Sequence, residues 1–409
     1  MMRSVTEHRG AILAALTPLA PVALPLPECL GLITTQEVRA RVRLPGFDNS
    51  AMDGYAVRAA DVVGAREQAP VALTVIGEVA AGADAGGLVL APGQAVRIMT
   101  GAMLPAGADA VVMVERTDGG TETVAVRDAV PVGRSIRPAG EDVEAGALVI
   151  PAGTRVNART LALAASTGHP TLMVRPRARV AVVSTGEELI PAGKPLAPGQ
   201  IHESNSVMLA AAARTLGAEV VACESSGDDP EAFVALLGEL ARTCDAVITS
   251  GGVSMGAYDV VKAALRDHGI DFVQVAMQPG KPQGFGLFGA GRVPIFALPG
   301  NPVSAFVSFE VFVAPALEAM MGTTHERRVV AGTMGHALTS PAGRTQIARA
   351  VTTRSGAGWV VDPVVGQGSH FIADLVRANS LVIVPAETTA LATGDSVEVW
   401  LLDEPRGTW

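Results

Sequence analysis

Cysteine, aromatic residues and charge are all scarce in this chain of 409 residues. Its three cysteines, Cys29, Cys223 and Cys244, stand far apart without metal-type spacing, which excludes a disulfide framework and fits a reducing, cytoplasmic setting. Aromatics amount to 4%, with only two tyrosines, Tyr55 and Tyr258, both inside dense polar motifs. Charged residues are 17%, the net charge is −9, and there is no basic run. A nucleic-acid partner, which needs a cationic field over phosphates, is therefore excluded. Hydrophobic runs of membrane-spanning length that are free of both proline and charge are lacking too. Residues 11–26 are apolar, but Glu7 precedes them and Pro18, Pro21 and Pro25 break them. That argues against a signal peptide or a membrane span, and for a first helix over 5–16 followed by a connector.

What is present is apolar bulk, at 49%, punctuated by 45 glycines and 27 prolines. The composition predicts a soluble globular protein with many tight turns, and the length predicts two to four domains, since one core serves about 100 to 200 residues. From 178 onward, short β-branched runs alternate with helical stretches, the pattern of a parallel sheet covered by helices. Strands are expected at 179–184 (RVAVVS), 219–223, 245–249, 272–277 and 293–298; helices at 207–216, 231–242, 258–268 and from Pro302 to about Met320. Asp229 and Pro230 form a capped helix start. This is a three-layer α/β domain over 177–326. After Arg327 the helix signal disappears, and 327–409 reads as a small all-β domain. The N-terminal part, 1–176, reads as helical segments, one at 158–166, around a β insertion at about 55–140.

Polar residues concentrate in glycine-rich turns after strands, where binding loops of open α/β sheets sit. Ser184-Thr185-Gly186-Glu187-Glu188 and Ser250-Gly251-Gly252 end the first and third strands, so both are expected on one carboxyl edge, where small residues expose N–H groups to an oxyanion. Glu188, Asp228, Asp229 and Asp259 are expected at the same edge, and acids beside such a cradle point to a bridging cation, with Mg²⁺ suited to a few carboxylates plus substrate oxygens. For Asp229, helix capping is the leading alternative. Lys281, in the Pro/Gly-flanked run QPGKP, suits phosphate neutralisation. LPGNP ends another strand, and PGFDNSAMDGY (45–55), RIMTG (97–101) and RPAGED (137–142) are dense polar runs in the N-terminal half.

Taken together, PGFDNSAMDGYAVR, RIMTGA, GED, STGEEL, SGGVSMGAYD, QPGKP, LPGNPVSA and GQGSH resemble, in order and spacing, the molybdopterin molybdenumtransferase family, the MoeA proteins and the homologous E domain of gephyrin. The resemblance implies a homodimer whose α/β domain is the molybdopterin-binding fold and whose C-terminal domain is a β-barrel. It implies molybdenum insertion from molybdate into adenylylated molybdopterin with release of AMP, assisted by Mg²⁺, downstream of a molybdopterin adenylyltransferase. The family's essential acids match Asp53, Glu188, Asp228 and Asp259, with Asp228 and Asp259 assigned to the metal. Thr100, Asp142 and Lys281 join them as catalytic candidates. Ser184, Thr185, Gly186, Ser250, Gly251, Gly252, Pro299, Pro302 and Ser369 are the substrate-binding candidates. Two other readings are an adenylyltransferase, which shares the STG and SGG loops, and a non-catalytic scaffold like gephyrin. One departure stands out: Gln278 occupies a position where some family members carry Lys. The loop is one charge short unless Arg58, Arg97 or Arg137 compensates in the folded dimer, and restoring Lys is expected to tighten an anion.

Overall fold

Apolar runs without alternation become strands buried on both faces, and RVAVVS is the first of these in the α/β part of the chain. The structure, a computed structural model, describes residues 2–253, 260–323, 328–356 and 358–402. Two compact units form: one from Met1–Val22, Gly31–Ile33 and Arg175–Trp409, the other from Ala23–Leu30 and Thr34–Val174.

In the first unit, six strands make one sheet: β1 (Arg179–Thr185), β2 (Glu219–Ser226), β3 (Ala246–Ser250), β4 (Ile270–Gln274), β5 (Pro282–Phe288) and β6 (Val293–Leu298), in the order β2-β1-β3-β6-β5-β4. The pairs β2-β1, β1-β3 and β3-β6 are parallel, whereas β5 runs antiparallel to both neighbours. The sheet is thus mixed rather than parallel throughout, and β5 is absent from the sequence expectation. Its glycines read as turn signals, but Gly284 is there for space. A Cβ on it would lie 2.7 Å from the Phe272 ring and 2.8 Å from Ala297 Cβ, on the two flanking strands.

Side chains alternate between the two faces of the sheet. Val180, Val182, Ile248 and Phe296 pack with Leu209 of the helix Asn205–Thr215 and with Val303 to Met321 of the long apolar helix. Ala181, Val183, Val247 and Ile295 pack with Phe233, Leu237, Val261 and Leu265 on the other side. The stretch Pro302–Met321 is long and apolar enough to cross a membrane by composition, yet 72% of it is buried in this layer. A π turn, Phe309–Val313, interrupts it.

Five further strands close a barrel: β7 (Val329–Met334), β8 (Thr345–Ser355), β9 (Gly358–Pro363), β10 (Ser380–Val384) and β11 (Ser396–Leu401). They follow the order β8-β9-β7-β11-β10 and return to β8, around Met334, Ala348, Val361, Val382 and Val399. The expectation of an all-β domain omits one short helix, Ile372–Arg377. A two-residue strand, Met277–Gln278, pairs with the start of β8 and so joins the QPGKP turn to the barrel.

The first helix, Val5–Ala15, begins with a capping box between Ser4 and Glu7. Its His8 is buried, meets the Phe312 ring edge-on at 4.8 Å, and leaves Nδ1 without a partner. Burial first, and Arg3 second, lower its pKa to about 4. The folded chain therefore holds this imidazole neutral while the unfolded chain protonates. Stability should be indifferent to His8 above pH about 6.5, fall as pH drops from there to about 4, and level off below. Urea titrations across that range check it: His8→Phe should flatten the slope, and an unchanged slope would refute the assignment.

The second unit carries a five-stranded sheet, in the order Ala110–Met113, Gly54–Val57, Gln94–Ile98, Val71–Val79, Thr123–Val126, so the N-terminal β region is as expected. Tyr55 lies in its core, fully buried, its hydroxyl donating to Gly120 O at 3.0 Å. The helix Ala158–Ser166 is capped by Asn157.

Candidate functional site

Parallel strands that diverge in chain order leave a crevice at their carboxyl ends, and here β1 leads outward to β2 on one side and to β3 on the other. Ser184 is in register with Ser250, and Ser250 with Leu298, so the STG, SGG and LPG turns stand side by side. They line a cavity of about 860 Å³ in the first unit. Thr185, Glu188, Ser250, Gly251, Gly252, Lys281, Pro299 and Ser369 all face it.

The strand ends hold one another before any ligand arrives. Thr185 Oγ1 donates to Ser250 O at 3.4 Å, and Gly251 N–H to Leu298 O at 3.1 Å. Ser184 is buried behind the wall, its hydroxyl donating to Glu203 Oε1 at 2.8 Å. Gly186 and Pro302 are outside the lining; Pro302 instead starts the helix Pro302–Ser308. Glu188 folds its carboxylate back over Gly186.

The opposite wall is the QPGKP turn and the barrel. Gln283 Nε2 donates to Gly280 O and Ser308 Oγ, both at 2.6 Å, which anchors the turn that presents Lys281. Arg344, just before β8, reaches the same cavity and donates from Nη1 to Gln278 Oε1 at 3.3 Å. Ser369 joins the two domains: Asn301 Nδ2 donates to its hydroxyl at 3.1 Å, and Val303 N–H to its carbonyl at 3.1 Å. The buried Arg349 holds this GQGSH loop, donating to Phe371 O (2.7 Å), Gly368 O (3.1 Å) and Gly366 O. Chemically, the cavity offers two cations and hydroxyls to an oxyanion, with Glu188 as the carboxylate among the described lining residues.

Of the described acids expected at this edge, Glu188 lines the cavity whereas Asp228 and Asp229 do not. Asp229 caps the helix Pro230–Leu240, accepting from Glu231 N–H (3.0 Å) and Ala232 N–H (3.4 Å), and Asp228 is exposed and outside the lining. Among the described residues, no group of three Asp, Glu, His or Cys side chains could hold a metal ion. Asp259, with Tyr258, lies outside the described residues.

Asp53, Thr100 and Asp142 belong to the second unit. Thr100 donates twice to Asp53 Oδ1, from N–H at 2.6 Å and from its hydroxyl at 2.8 Å, and these bonds hold the carboxyl below its usual range. Asp142 is exposed, its N–H bonded to Leu44 O at 3.0 Å. Much of the dense run 45–55 is spent on turns: Asp48 accepts from Ala139 N–H at 2.7 Å, and Asn49 Nδ2 donates to Phe47 O at 3.1 Å.

Sequence reasoning missed Arg344, Asn205 and His370, all of which line the cavity. Arg344 is the consequential omission, because it brings a cation to Gln278 from the barrel; Arg58, Arg97 and Arg137 belong to the second unit. His370 stands inside the GQGSH run, Asn205 at a helix start gives no more than a capping signal, and Arg344 lies outside every motif.

Three family models match the chain. The MoeA N-terminal region (domain I and II) covers residues 3–168, a probable molybdopterin binding domain covers 181–319, and the MoeA C-terminal region (domain IV) covers 331–402. Molybdopterin molybdenumtransferase 2 of Mycobacterium tuberculosis is 48% identical over 407 residues, covering 98% of this chain and 99% of that protein. The molybdopterin molybdenumtransferase of Synechococcus elongatus is 37% identical, covering 93% and 94%. A solved molybdopterin biosynthesis MoeA protein from Pyrococcus horikoshii superposes with a TM-score of 0.81 at 30% identity, covering 99% and 100%.

Proposed function

This chain belongs to the molybdopterin molybdenumtransferase family, the MoeA proteins, and from that membership and its cavity we propose that it inserts molybdenum from molybdate into adenylylated molybdopterin with release of AMP. It is a transferase of molybdenum cofactor biosynthesis. The observation that carries the reading to these residues is the convergence of Lys281 and Arg344 on a cavity walled by the strand-end turns. Two fixed cations suit a dianionic tetrahedral oxyanion, which they bind and hold still while the dithiolene sulfurs approach. In the balanced step two molybdenum–sulfur bonds form as one molybdate oxygen leaves with the two dithiolene protons as water, molybdenum stays at the same oxidation level, and a water cleaves the adenylyl phosphoanhydride to leave the pterin phosphate and AMP.

Ser369, fixed by Asn301, keeps its hydroxyl proton for a ligand oxygen. We assign Asp53, kept ionised by Thr100, and Glu188 to substrate positioning or proton transfer, and Thr100 and Asp142 to activity or site architecture. The described residues do not assemble a Mg²⁺ site. We further propose a homodimer, a cytoplasmic setting, an upstream adenylyltransferase, and a division of the chain near 176 and 326.

The test uses the purified full chain with adenylylated molybdopterin. Molybdate-dependent AMP release without ATP consumption is expected. Adenylylation of molybdopterin at the expense of ATP would make it an adenylyltransferase instead, and no turnover of either kind would favour a scaffold.

A further inference from the structure

The short segment Glu203–Asn205–Ser206 touches all three strand-end turns of the cavity, although no binding motif marks it. Glu203 takes over the capping of the helix Asn205–Thr215: its Oε1 accepts from Ser206 N–H at 2.8 Å and its Oε2 from the Ser206 hydroxyl, while Ser204, at the cap position, makes no side-chain cap bond. Oε1 also accepts from Ser184 at the end of β1. The Asn205 amide is thereby released from the duty that Asn usually performs at a helix start.

It is used across the cavity floor instead. Nδ2 donates to Ser250 Oγ at 2.8 Å, at the end of β3, and to Gly300 O at 2.6 Å, after β6. Both amide protons are engaged, so the amide cannot turn over without setting two carbonyl oxygens against each other. Oδ1 is left buried without a partner. An unsatisfied acceptor is a cost that a structure carries where another demand fixes the group. The two turns so joined are in contact: a Cβ on Gly300 would stand 3.5 Å from Gly251 Cα.

We propose that Asn205 is a positioning residue of molybdenum insertion, setting the separation of the SGG and LPGN turns on which the pterin substrate is seated. The proposal rests on the reading above for the identity of that substrate. Lys281 and Arg344 reach the cavity from the other wall and owe nothing to Asn205. The two halves of the site should therefore respond separately.

Asn205→Asp keeps the side-chain shape and loses both donors; Asn205→Ala removes the amide. Both are expected to lower kcat/KM for adenylylated molybdopterin by about 10- to 100-fold, the scale of a small misplacement of reacting groups. Molybdate Kd, measured calorimetrically with molybdate alone, should stay within about twofold, because its ligands are elsewhere. Combined with Ser250→Ala, Asn205→Ala should cost little more than alone, since each removes one contact of the same clamp. Hydrogen exchange at the Gly251 amide, which donates to Leu298 O, should accelerate about tenfold in either variant without any substrate.

Wild-type kinetics and wild-type exchange in Asn205→Asp would overturn the proposal, and so would a parallel loss of molybdate affinity and melting temperature, which would make the amide merely structural. If the wild-type chain released no AMP at all, the proposed reaction would fail, while the exchange comparison would still decide whether Asn205 clamps the two turns.

Discussion

Arg344→Ala should weaken molybdate binding by roughly 10- to 150-fold, the loss of about 1.5–3 kcal/mol that accompanies removal of a hydrogen bond to a charged group. Arg344 is half-buried at the cavity, and its position depends on Gln278, whose side-chain amide oxygen Oε1 accepts from Nη1 at 3.3 Å. This contact reverses an expectation drawn from the sequence. Considered alone, Gln278→Lys adds a cation beside Lys281 and should tighten an oxyanion several-fold at low salt. In the folded chain the same change removes the acceptor that holds the guanidinium and places an ammonium against it, so the gain is offset. Gln278→Lys should improve molybdate binding by less than about twofold, with weak salt dependence. Titration calorimetry of both variants at two ionic strengths decides the matter. Unchanged affinity in Arg344→Ala would remove Arg344 from the anion site. A strong, salt-sensitive gain in Gln278→Lys would show that Arg344 does not need Gln278.

Gly251→Ala should destabilise the first unit by about 2–4 kcal/mol and abolish measurable turnover. The backbone there has φ +105°, which L side chains rarely adopt, and a Cβ would lie 2.7 Å from both the carbonyl oxygen and the hydroxyl of Thr185. Relief requires moving the end of β1 away from β3, which opens the wall on which the substrate rests. Gly289→Ala is the control, with φ +66° at the start of a loop and nothing within 4 Å of the added methyl. It should cost only the conformational strain, about 1 kcal/mol, and leave AMP release intact. Denaturant titration and AMP-release assays on both variants check this, and equal effects in the two would mean that the contact with Thr185 contributes nothing.

Local signals were legible in the sequence because their causes are local. Asp229-Pro230 at a helix start, the continuous apolar run of β1 and the glycine-rich turns after β1 and β3 each depend on neighbours a few positions away, and the structure places them as expected. The family resemblance extended this to the order of motifs along the whole chain. What the sequence could not decide is which polar residues of those motifs face a ligand. Tyr55, Asp48 and Asn49, inside the densest motif, are consumed by core packing and turns, whereas Asn205 and Arg344 stand in plain stretches and line the cavity. Nor could it reveal β5, whose glycines make room for two flanking strands and so look like breaks when those strands are out of view. The physical reason is separation along the chain. Asn205 meets Gly300 across 95 positions and Arg344 meets Gln278 across 66, and contacts of that span exist only once the strand order and the barrel have brought the segments together.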